Sequence, residues 1–257
     1  MNTVVLNADD GFCEKILSKL PKDIEVYLIS AKPCYSEHNN CYATNITIND
    51  QGVCFIANTP WGQAKISSKL QGGFQVTNLL LSLPVLVLLG VPFAKACELL
   101  TSTNTIPGRA QCFGGQNKPL VIVDYAHTPD ALAVILQHAR LIAKGKVWCV
   151  FGCGGERDQG KRQQMGEIVE KLSDEVILTD DNPRKEDPLA IVQDILSGVI
   201  CPWAILVEHD RCAAIRQAIN AANKGDVVVI AGKGHEQVQV INDEYISHSD
   251  IDYVQFV

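Results

Sequence analysis

The chain has 257 residues, of which 47% are hydrophobic, 20% charged and 6% aromatic, and its formal net charge is −7 at pH 7. This composition is typical of a soluble globular protein with room for two modest domains, and it excludes a disordered or collagen-like chain. The negative charge, with no Lys- or Arg-rich run, argues against nucleic acid or an anionic membrane as a partner.

The first hundred residues predict part of an α/β unit. Asn2–Asp10 and Asp23–Ser30 have the apolar, β-branched character of strands, and Ile46–Asn58 predicts a hairpin. Phe74–Leu100 predicts two helices joined at Gly90–Pro92. The apolar part of this region is too short and too interrupted to span a bilayer. The first residues lack a secretory signal, so we expect a cytoplasmic protein with no membrane segment.

The second half alternates apolar runs, polar or glycine-rich loops and helical segments, which is the βαβ pattern of a parallel sheet. A polar segment ending in Pro107-Gly108 predicts the domain boundary, with domains at residues 1–106 and 107–257. Alternation around Asn242-Asp243 predicts a closing hairpin. The predicted strands are Pro119–Tyr125, Lys146–Gly152, Glu175–Asp180, Ala204–Asp210 and Asp226–Gly232. The predicted helices lie near Pro129–Ala143, Lys161–Leu172, Pro188–Ser197 and Arg211–Asn223.

Ten cysteines are scattered, mostly among apolar residues, and predict free buried thiols rather than disulfides. Cys149 and Cys153 form the one close pair, and no second pair stands at metal spacing, so no zinc site is expected. The others are Cys13, Cys34, Cys41, Cys54, Cys97, Cys112, Cys201 and Cys212.

Charged and polar residues concentrate in the loops that follow the predicted strands. Ligands of open parallel sheets bind beyond the carboxyl ends of the strands, so these loops predict a binding site. They are Asp124–Asp130, Gly152–Arg162, Thr179–Arg184, Glu208–Arg211 and Ala231–Glu236.

Two nucleotide motifs are incomplete in the second of these loops. Gly155, Gly160 and Lys161 have the spacing of a phosphate-binding P-loop, but Arg162 replaces the Ser or Thr that binds Mg²⁺. Arg157 stands where a dinucleotide fingerprint requires its third glycine. A P-loop and a nicotinamide site are both disfavoured here.

The loop with sequence DDNPR has two interpretations. Arg184 can bind a carboxylate through two parallel hydrogen bonds, Asp181 can accept from an ammonium, and Asn182 can do both, while Pro183 restricts the backbone. These groups suit a zwitterionic amino acid. Alternatively, the Asp and Asn residues cap the helix that begins near Pro188.

Two other loops are also open to both structural and binding roles. Asp124 can bind a ribose or base, and His127 can bind a phosphate or a metal-bound water. Alternatively, the segment is a helix start that Thr128 caps. The glycines of Ala231–Glu236 allow close approach of a ligand, and Glu236 can complement a second ammonium.

The motifs GRAQCF, VIVDYAHTPDAL, CVFGCGGERDQGKRQQMG, TDDNPRKEDP and AGKGHEQVQ, in this order, resemble the MurE type of Mur ligases. The resemblance covers residues 108 to about 241, and more weakly the preceding residues. It implies a C-terminal Rossmann-like domain with a mainly parallel five- to six-stranded sheet, preceded by the C-terminal part of an α/β ATPase domain.

The resemblance also implies a reaction. Such ligases use ATP and Mg²⁺ to phosphorylate the carboxylate of UDP-N-acetylmuramoyl-L-alanyl-D-glutamate, and the amine of meso-diaminopimelate then attacks in peptidoglycan synthesis. Carried over by residue, the ATP site comprises Arg109, Asp124, His127 and, more weakly, Asn78. The diaminopimelate site comprises Arg157, Asp181, Asn182, Pro183, Arg184, Gly232 and Glu236, with the Arg184 guanidinium pairing with the distal carboxylate.

The sequence departs from the family at several points. No Gly-Lys-Thr or Gly-Lys-Ser P-loop occurs, and neither the carbamylated-lysine region nor the UDP-binding domain is recognisable. Ala110 and Gln111 stand where Met-Glu is common. We therefore expect a C-terminal half that is inactive alone, because it lacks the phosphate cradle.

The sequence leaves two alternative functions open. One is a noncatalytic diaminopimelate-binding module, or a subunit that completes a ligase with a separate P-loop chain. The other is a different Mur ligase or a folylpolyglutamate ligase, which the combination of DNPR with GGERD disfavours.

Overall fold

A computed structural model describes residues 2–33, 38–49 and 51–256. Cys34, and Asp50 within the first predicted hairpin, lie outside the described residues. The chain divides into two compact units, Met1–Asn104 and Thr105–Val257, called the first and second unit below. The predicted boundary at Pro107 lies close to this division.

The described residues of the first unit form a five-stranded sheet in the order β1-β2-β3-β4-β5. Neighbours from β1 to β3 are parallel, and neighbours from β3 to β5 are antiparallel. The strands are β1 Thr3–Asn7, β2 Glu25–Ser30, β3 Asn39–Asn49, β4 Gly52–Thr59 and β5 Gly62–Ser68. The helices are α1 Cys13–Leu17, α2 Phe74–Leu88 and α3 Phe93–Thr101.

These elements match the predicted ones with two additions. The predicted strands correspond to β1 and β2, the hairpin to β3 and β4, and the two helices to α2 and α3. Leu80 and Leu83 of α2 share a core with Phe55 and Ile66 of the sheet. The pattern does not predict the short helix α1, nor β5, whose side chains are mostly polar and which forms by pairing with β4.

In the second unit, the described residues form a six-stranded sheet in the order β10-β9-β8-β11-β7-β6. All neighbours are parallel except β6 and β7. The strands are β6 Gln111–Gly114, β7 Leu120–Asp124, β8 Val147–Phe151, β9 Glu175–Leu178, β10 Leu206–Val207 and β11 Val227–Ala231. The helices are α4 Pro129–Ile142, α5 Gly160–Leu172, α6 Pro188–Leu196, α7 Arg211–Ala221 and α8 Asp250–Phe256.

The central position of β11 follows from its sequence. All five residues of Val227–Ala231 are buried, as expected for a strand covered on both faces by helices. Ala214, Ile215 and Val254 of α7 and α8 pack on this sheet, while α4 contacts β8 and β11. The α/β fold class with a mainly parallel sheet is confirmed.

One predicted strand is mostly wrong. Of Ala204–Asp210, only Leu206–Val207 pairs with β9, and Pro202–Ala204 forms a 3₁₀ turn. β10 lies at the edge of the sheet, so it forms backbone hydrogen bonds with one neighbouring strand, β9, instead of two. Helix α8 has no counterpart among the predicted elements.

The closing hairpin is confirmed. Strands β12 Val238–Ile241 and β13 Glu244–Ser247 pair antiparallel, and Asn242 occupies their turn with φ of +53°. The hairpin also makes a parallel bridge from Ile241 to Arg184, which ties it to the loop after β9.

None of the described cysteines forms a disulfide bond. The buried ones are Cys13, Cys41, Cys97, Cys149 and Cys153. None of the helices in the described part of the chain has the length and apolarity needed to cross a membrane.

Candidate functional site

A cleft of about 410 Å³ lies at the carboxyl ends of the parallel strands of the second unit. Four of the five predicted loops contribute to it, and Glu208–Arg211 does not. The lining residues are Tyr125, His127, Thr128, Gly152, Cys153, Gly154, Arg157, Asp158, Lys161, Asp181, Asn182, Arg184, Gly232 and Glu236.

The structure brings together six of the seven residues predicted for the amino-acid site. Arg157, Asp181, Asn182, Arg184, Gly232 and Glu236 line the cleft, whereas Pro183 does not. The Pro183 carbonyl instead lies against Gly155, where an added Cβ would be 2.0 Å from it. This contact brings the loops after β8 and β9 together.

The cleft presents two arginines beside one glycine. A Cβ on Gly154 would lie 3.1 Å from Arg184 Nη1 and 3.7 Å from Arg157 Cγ. Arg184 Nη1 donates to the Gly155 carbonyl at 2.8 Å, while its Nε and Nη2 make no hydrogen bond within the described part of the chain. Two arginine side chains in one cleft form a site suited to a carboxylate.

The backbone of Arg184 fixes where its side chain begins. Its φ is +52°, a conformation uncommon for a residue with a Cβ. Its N–H donates to Val240 at 3.0 Å, and its carbonyl accepts from Asn242 at 2.7 Å. The hairpin β12–β13 therefore holds Arg184 in this conformation.

Another part of the cleft is acidic. Asp181 is buried beside Gly232, where an added Cβ would be 2.5 Å from Asp181 Oδ2. Burial raises the pKa of Asp181, and the cations of Arg211 and Lys233 oppose this rise. Among the described residues, no group donates a hydrogen bond to the Asp181 carboxylate. This buried carboxylate is suited to receive a cationic group from a ligand.

Asn182 and Glu236 are joined by hydrogen bonds. Asn182 Nδ2 donates to Glu236 Oε2 at 3.0 Å. Asn182 Oδ1 accepts from Lys233 Nζ and from the Val240 N–H, both at 2.9 Å. The side chain of Asn182 thus connects three segments, which is a stabilising role beyond the ligand contact predicted for it.

The predicted cap of α6 is placed wrongly in the DDNPR segment. Asp187 is the N-cap, and its side chain accepts from the Leu189 N–H at 3.0 Å. Asp181 and Asn182 point to the cleft, so capping and ligand contact belong to different residues. Thr128 does cap α4, as predicted.

A buried ion pair positions the loops on the basic side. The Arg162 side chain is fully buried, and Nη1 and Nη2 donate to the two carboxylate oxygens of Glu186 at 2.6 and 2.8 Å. Arg162 Nη2 also donates to the Gly154 carbonyl at 3.2 Å, and Glu186 accepts from the Glu156 N–H at 2.9 Å. These contacts hold the loop that carries Arg157.

Three of the four residues predicted for the nucleotide, Arg109, Asp124 and His127, lie around Tyr125. The Arg109 guanidinium lies over the Tyr125 ring, 4.7 Å from its centroid. Asp124 accepts from the Ala110 and Ala126 N–H groups at 2.7 and 2.8 Å, and each of its oxygens retains a further acceptor position. Burial raises the pKa of Asp124, and these two hydrogen bonds oppose the rise.

His127 lines the cleft, and its carbonyl accepts from Lys161 Nζ at 2.8 Å. Asn78, in contrast, belongs to α2 of the first unit, where Nδ2 donates to Gln75 Oε1 at 3.1 Å. Arg109, Asp124 and His127 thus share one region of the second unit.

Sequence reasoning missed three buried charged residues around the cleft. Arg162 and Lys233 lie in two of the predicted loops, in which other residues were predicted to bind the ligand. Arg211 lies behind the cleft and donates to Asp250 at 2.8 and 2.7 Å and to the Ala231 carbonyl at 3.0 Å. No local pattern reveals the partners Glu186 of Arg162, Asn182 of Lys233 and Asp250 of Arg211, because they are distant in sequence.

Two family models match the chain, the Mur ligase middle domain at residues 1–86 and the Mur ligase glutamate ligase domain at residues 108–234. The chain is also similar to a UDP-N-acetylmuramoyl-L-alanyl-D-glutamate–2,6-diaminopimelate ligase of Haemophilus ducreyi strain 35000HP. The two are 47% identical over 241 residues, which is 92% of this chain and 48% of the relative.

Solved structures give the same fold. A UDP-N-acetylmuramoyl-L-alanyl-D-glutamate–2,6-diaminopimelate ligase superimposes with a TM-score of 0.65 and 32% identity, over 99% of this chain and 52% of that one. A MurF ligase of Thermotoga maritima in complex with ADP has a TM-score of 0.66 and 18% identity, over 99% and 52% of the chains. This chain thus spans about half the length of each relative.

Proposed function

Because this chain belongs to the Mur ligase family, we propose that its second unit binds meso-diaminopimelate and part of ATP for an amide-forming ligase of peptidoglycan synthesis. The observation that carries this proposal is the presence, in one cleft, of two arginines together with the carboxylates of Asp181 and Glu236. Arg157 and Arg184 would bind the distal carboxylate, and Asp181 and Glu236 would bind ammonium groups. We place the reaction in the cytoplasm.

The reaction has two steps. ATP transfers its γ-phosphoryl group to the carboxylate ending UDP-N-acetylmuramoyl-L-alanyl-D-glutamate, giving an acyl phosphate and ADP. The amine of diaminopimelate, after losing a proton, then attacks the carbonyl carbon, so that a C–N bond forms and inorganic phosphate leaves. The residues of this cleft contribute to the second step by holding the amine donor in one orientation.

On the nucleotide side we propose that Arg109 and Tyr125 pack against the base and that Asp124 accepts hydrogen bonds from the ribose. His127 would lie toward the phosphates, with Asn78 as a further contact. The relatives crystallised with ADP support a nucleotide-binding role for this fold.

Mg²⁺ is proposed as the partner of ATP, and the described residues show no cluster of metal ligands of their own. They contain no group of three or more His, Cys, Asp or Glu side chains arranged to hold a metal ion, so we assign no step to Mg²⁺. The 257 residues also contain no Gly-Lys-Thr or Gly-Lys-Ser sequence. We propose that a P-loop, and the site for the UDP-dipeptide, are supplied by another segment or by a separate chain.

The alternative is a noncatalytic diaminopimelate-binding module. Binding alone does not separate it from a ligase subunit, because both use the same cleft. ATP-dependent consumption of the UDP-dipeptide, measured with and without a chain that carries a Mur ligase P-loop, separates them. The split-ligase proposal requires turnover in the mixture and none with the 257-residue chain alone.

Calorimetric titration tests the binding proposal. We expect the chain to bind meso-diaminopimelate and to bind lysine at least about tenfold more weakly, since lysine lacks the distal carboxylate. Arg184→Ala should weaken diaminopimelate binding to the level of lysine. Lys185→Ala is the control, because Lys185 pairs with Asp243 on the surface and does not line the cleft. Equal binding of both ligands by the wild type would contradict the assignment.

A further inference from the structure

Lys233 is a fully buried lysine beside the cleft that has no place in the function proposed above. Its Nζ donates to Asn182 Oδ1 at 2.9 Å and to Glu236 Oε2 at 3.0 Å. We infer that Lys233 is a positioning residue, which orients Asn182 and Glu236 so that Glu236 presents one charged oxygen to the amine of the substrate. The inference rests on the proposed function, because it concerns binding of that amine.

The hydrogen bonds of Lys233 determine which atoms face the ligand. A lysine can only donate, so the Asn182 oxygen must face it and the Asn182 amide nitrogen must face Glu236. Glu236 Oε2 therefore accepts from both Asn182 and Lys233. In the described part of the chain, Oε1 makes no hydrogen bond, and Glu236 lines the cleft. Glu236 Oε1 is thus the acceptor left for a substrate ammonium.

The same contacts favour the charged form of Glu236. Burial alone would raise the pKa of Glu236, but the hydrogen bonds from Asn182 and Lys233, with the charges of Lys233 and Arg211, hold it below its ordinary value. The other charged groups here are Asp181 and Asp250, and Arg211 is paired with Asp250. Lys233 is therefore the cation that directly contacts Glu236.

Substitution of Lys233 alone also has a stability cost, which must be separated from its effect on binding. A buried ion pair contributes little net stability compared with apolar residues in place of both partners, but removing one partner leaves the other charge unpaired and destabilises the fold. Methionine has a similar length and would leave Asn182 bonded to Glu236 and to Val240. What methionine would remove is the charge next to Glu236 and the second donor to Oε2.

The test is the pH dependence of meso-diaminopimelate binding by the 257-residue chain, measured by calorimetry for wild type and Lys233→Met. We expect the variant to bind about tenfold more weakly at pH 7, as for loss of one charge-assisted contact. Because loss of Lys233 raises the pKa of Glu236, binding by the variant should decline at a higher pH than wild type as the solution is acidified. A merely structural role would weaken binding without moving this pH.

Two further variants complete the design. Lys146→Met removes one lysine at the other end of the sheet, where Lys146 pairs with Glu175 on the surface, and should match wild type. Lys233→Gln keeps a donor without the charge, and it decides the test if circular dichroism shows that Lys233→Met does not fold. Wild-type affinity and pH dependence in the folded variant would overturn the inference, and so would weakening with no shift in pH. Absence of binding by wild type would instead overturn the proposed function, and this inference with it.

Discussion

Arg162→Met is expected to lower the free energy of unfolding of the second unit by about 3 kcal/mol, the lower part of the range for breaking a buried ion pair. The substitution leaves Glu186 without the partner that contacts both of its oxygens. It also removes the donor to the Gly154 carbonyl. Urea denaturation followed by circular dichroism measures the loss.

Arg140→Met is the matched control for Arg162→Met. Arg140 pairs with Asp174 at 2.8 Å, but both side chains are more than one third exposed. Removing such a surface pair should cost less than about 1 kcal/mol. Equal losses in the two variants would contradict the structural role assigned to Arg162.

The same pair predicts a pH dependence. The hydrogen bond from Arg162 lowers the pKa of Glu186 from an ordinary 4.5 to about 2, although burial acts in the opposite direction. A carboxyl group whose pKa is lower in the folded state stabilises the fold above its unfolded pKa, and this contribution is lost as the pH falls between the two values. Stability should therefore decline more steeply in wild type than in Arg162→Met between about pH 4.5 and pH 2. Parallel declines would contradict this assignment.

Much of the fold could be predicted because it follows from local patterns. The buried run Val227–Ala231 marks a central strand, and the turn at Asn242 marks the closing hairpin. The site loops were predictable for a related reason, since the carboxyl ends of parallel strands lie at one edge of the sheet. The resemblance to Mur ligases is confirmed by the family models and by the 47% identical relative. The role of each residue in the cleft stays a prediction.

What escaped prediction depends on contacts between distant segments. Lys233 and Asn182 are 51 residues apart, and Arg211 and Asp250 are 39 apart. β5 has a weak pattern of its own and forms because β4 offers hydrogen-bonding groups, whereas Ala204–Asp210 has the pattern of a strand and only Leu206–Val207 of it pairs with β9. Helix α6 is capped by Asp187 and not by a residue of DDNPR, because the capping residue is the one directly before the first helical residue. The sequence pattern does not fix that boundary to the residue.

Gly232→Ala should abolish most meso-diaminopimelate binding, with affinity lowered at least about a hundredfold, or ~2.8 kcal/mol. Gly232 has a φ of +118°, and an added Cβ would lie 2.5 Å from Asp181 Oδ2. Because real Cβ atoms do not approach an oxygen so closely, either the Asp181 carboxylate or the turn after β11 must move. Each movement displaces a group that we assign to the ammonium of the ligand.

Backbone strain alone would also destabilise the Gly232→Ala variant, by about 1–3 kcal/mol in the free energy of unfolding. The control variant must therefore carry the same strain. Gly115→Ala does so, since Gly115 has a φ of +83° and an added Cβ would meet its nearest neighbour, Leu120 Cδ1, at 3.9 Å. Gly115 lies in the turn before β7, at the other end of that strand from the cleft. We expect calorimetry to show wild-type affinity for Gly115→Ala and a large loss for Gly232→Ala. Equal affinities in the two variants would mean that the space beside Asp181 is not part of the binding site.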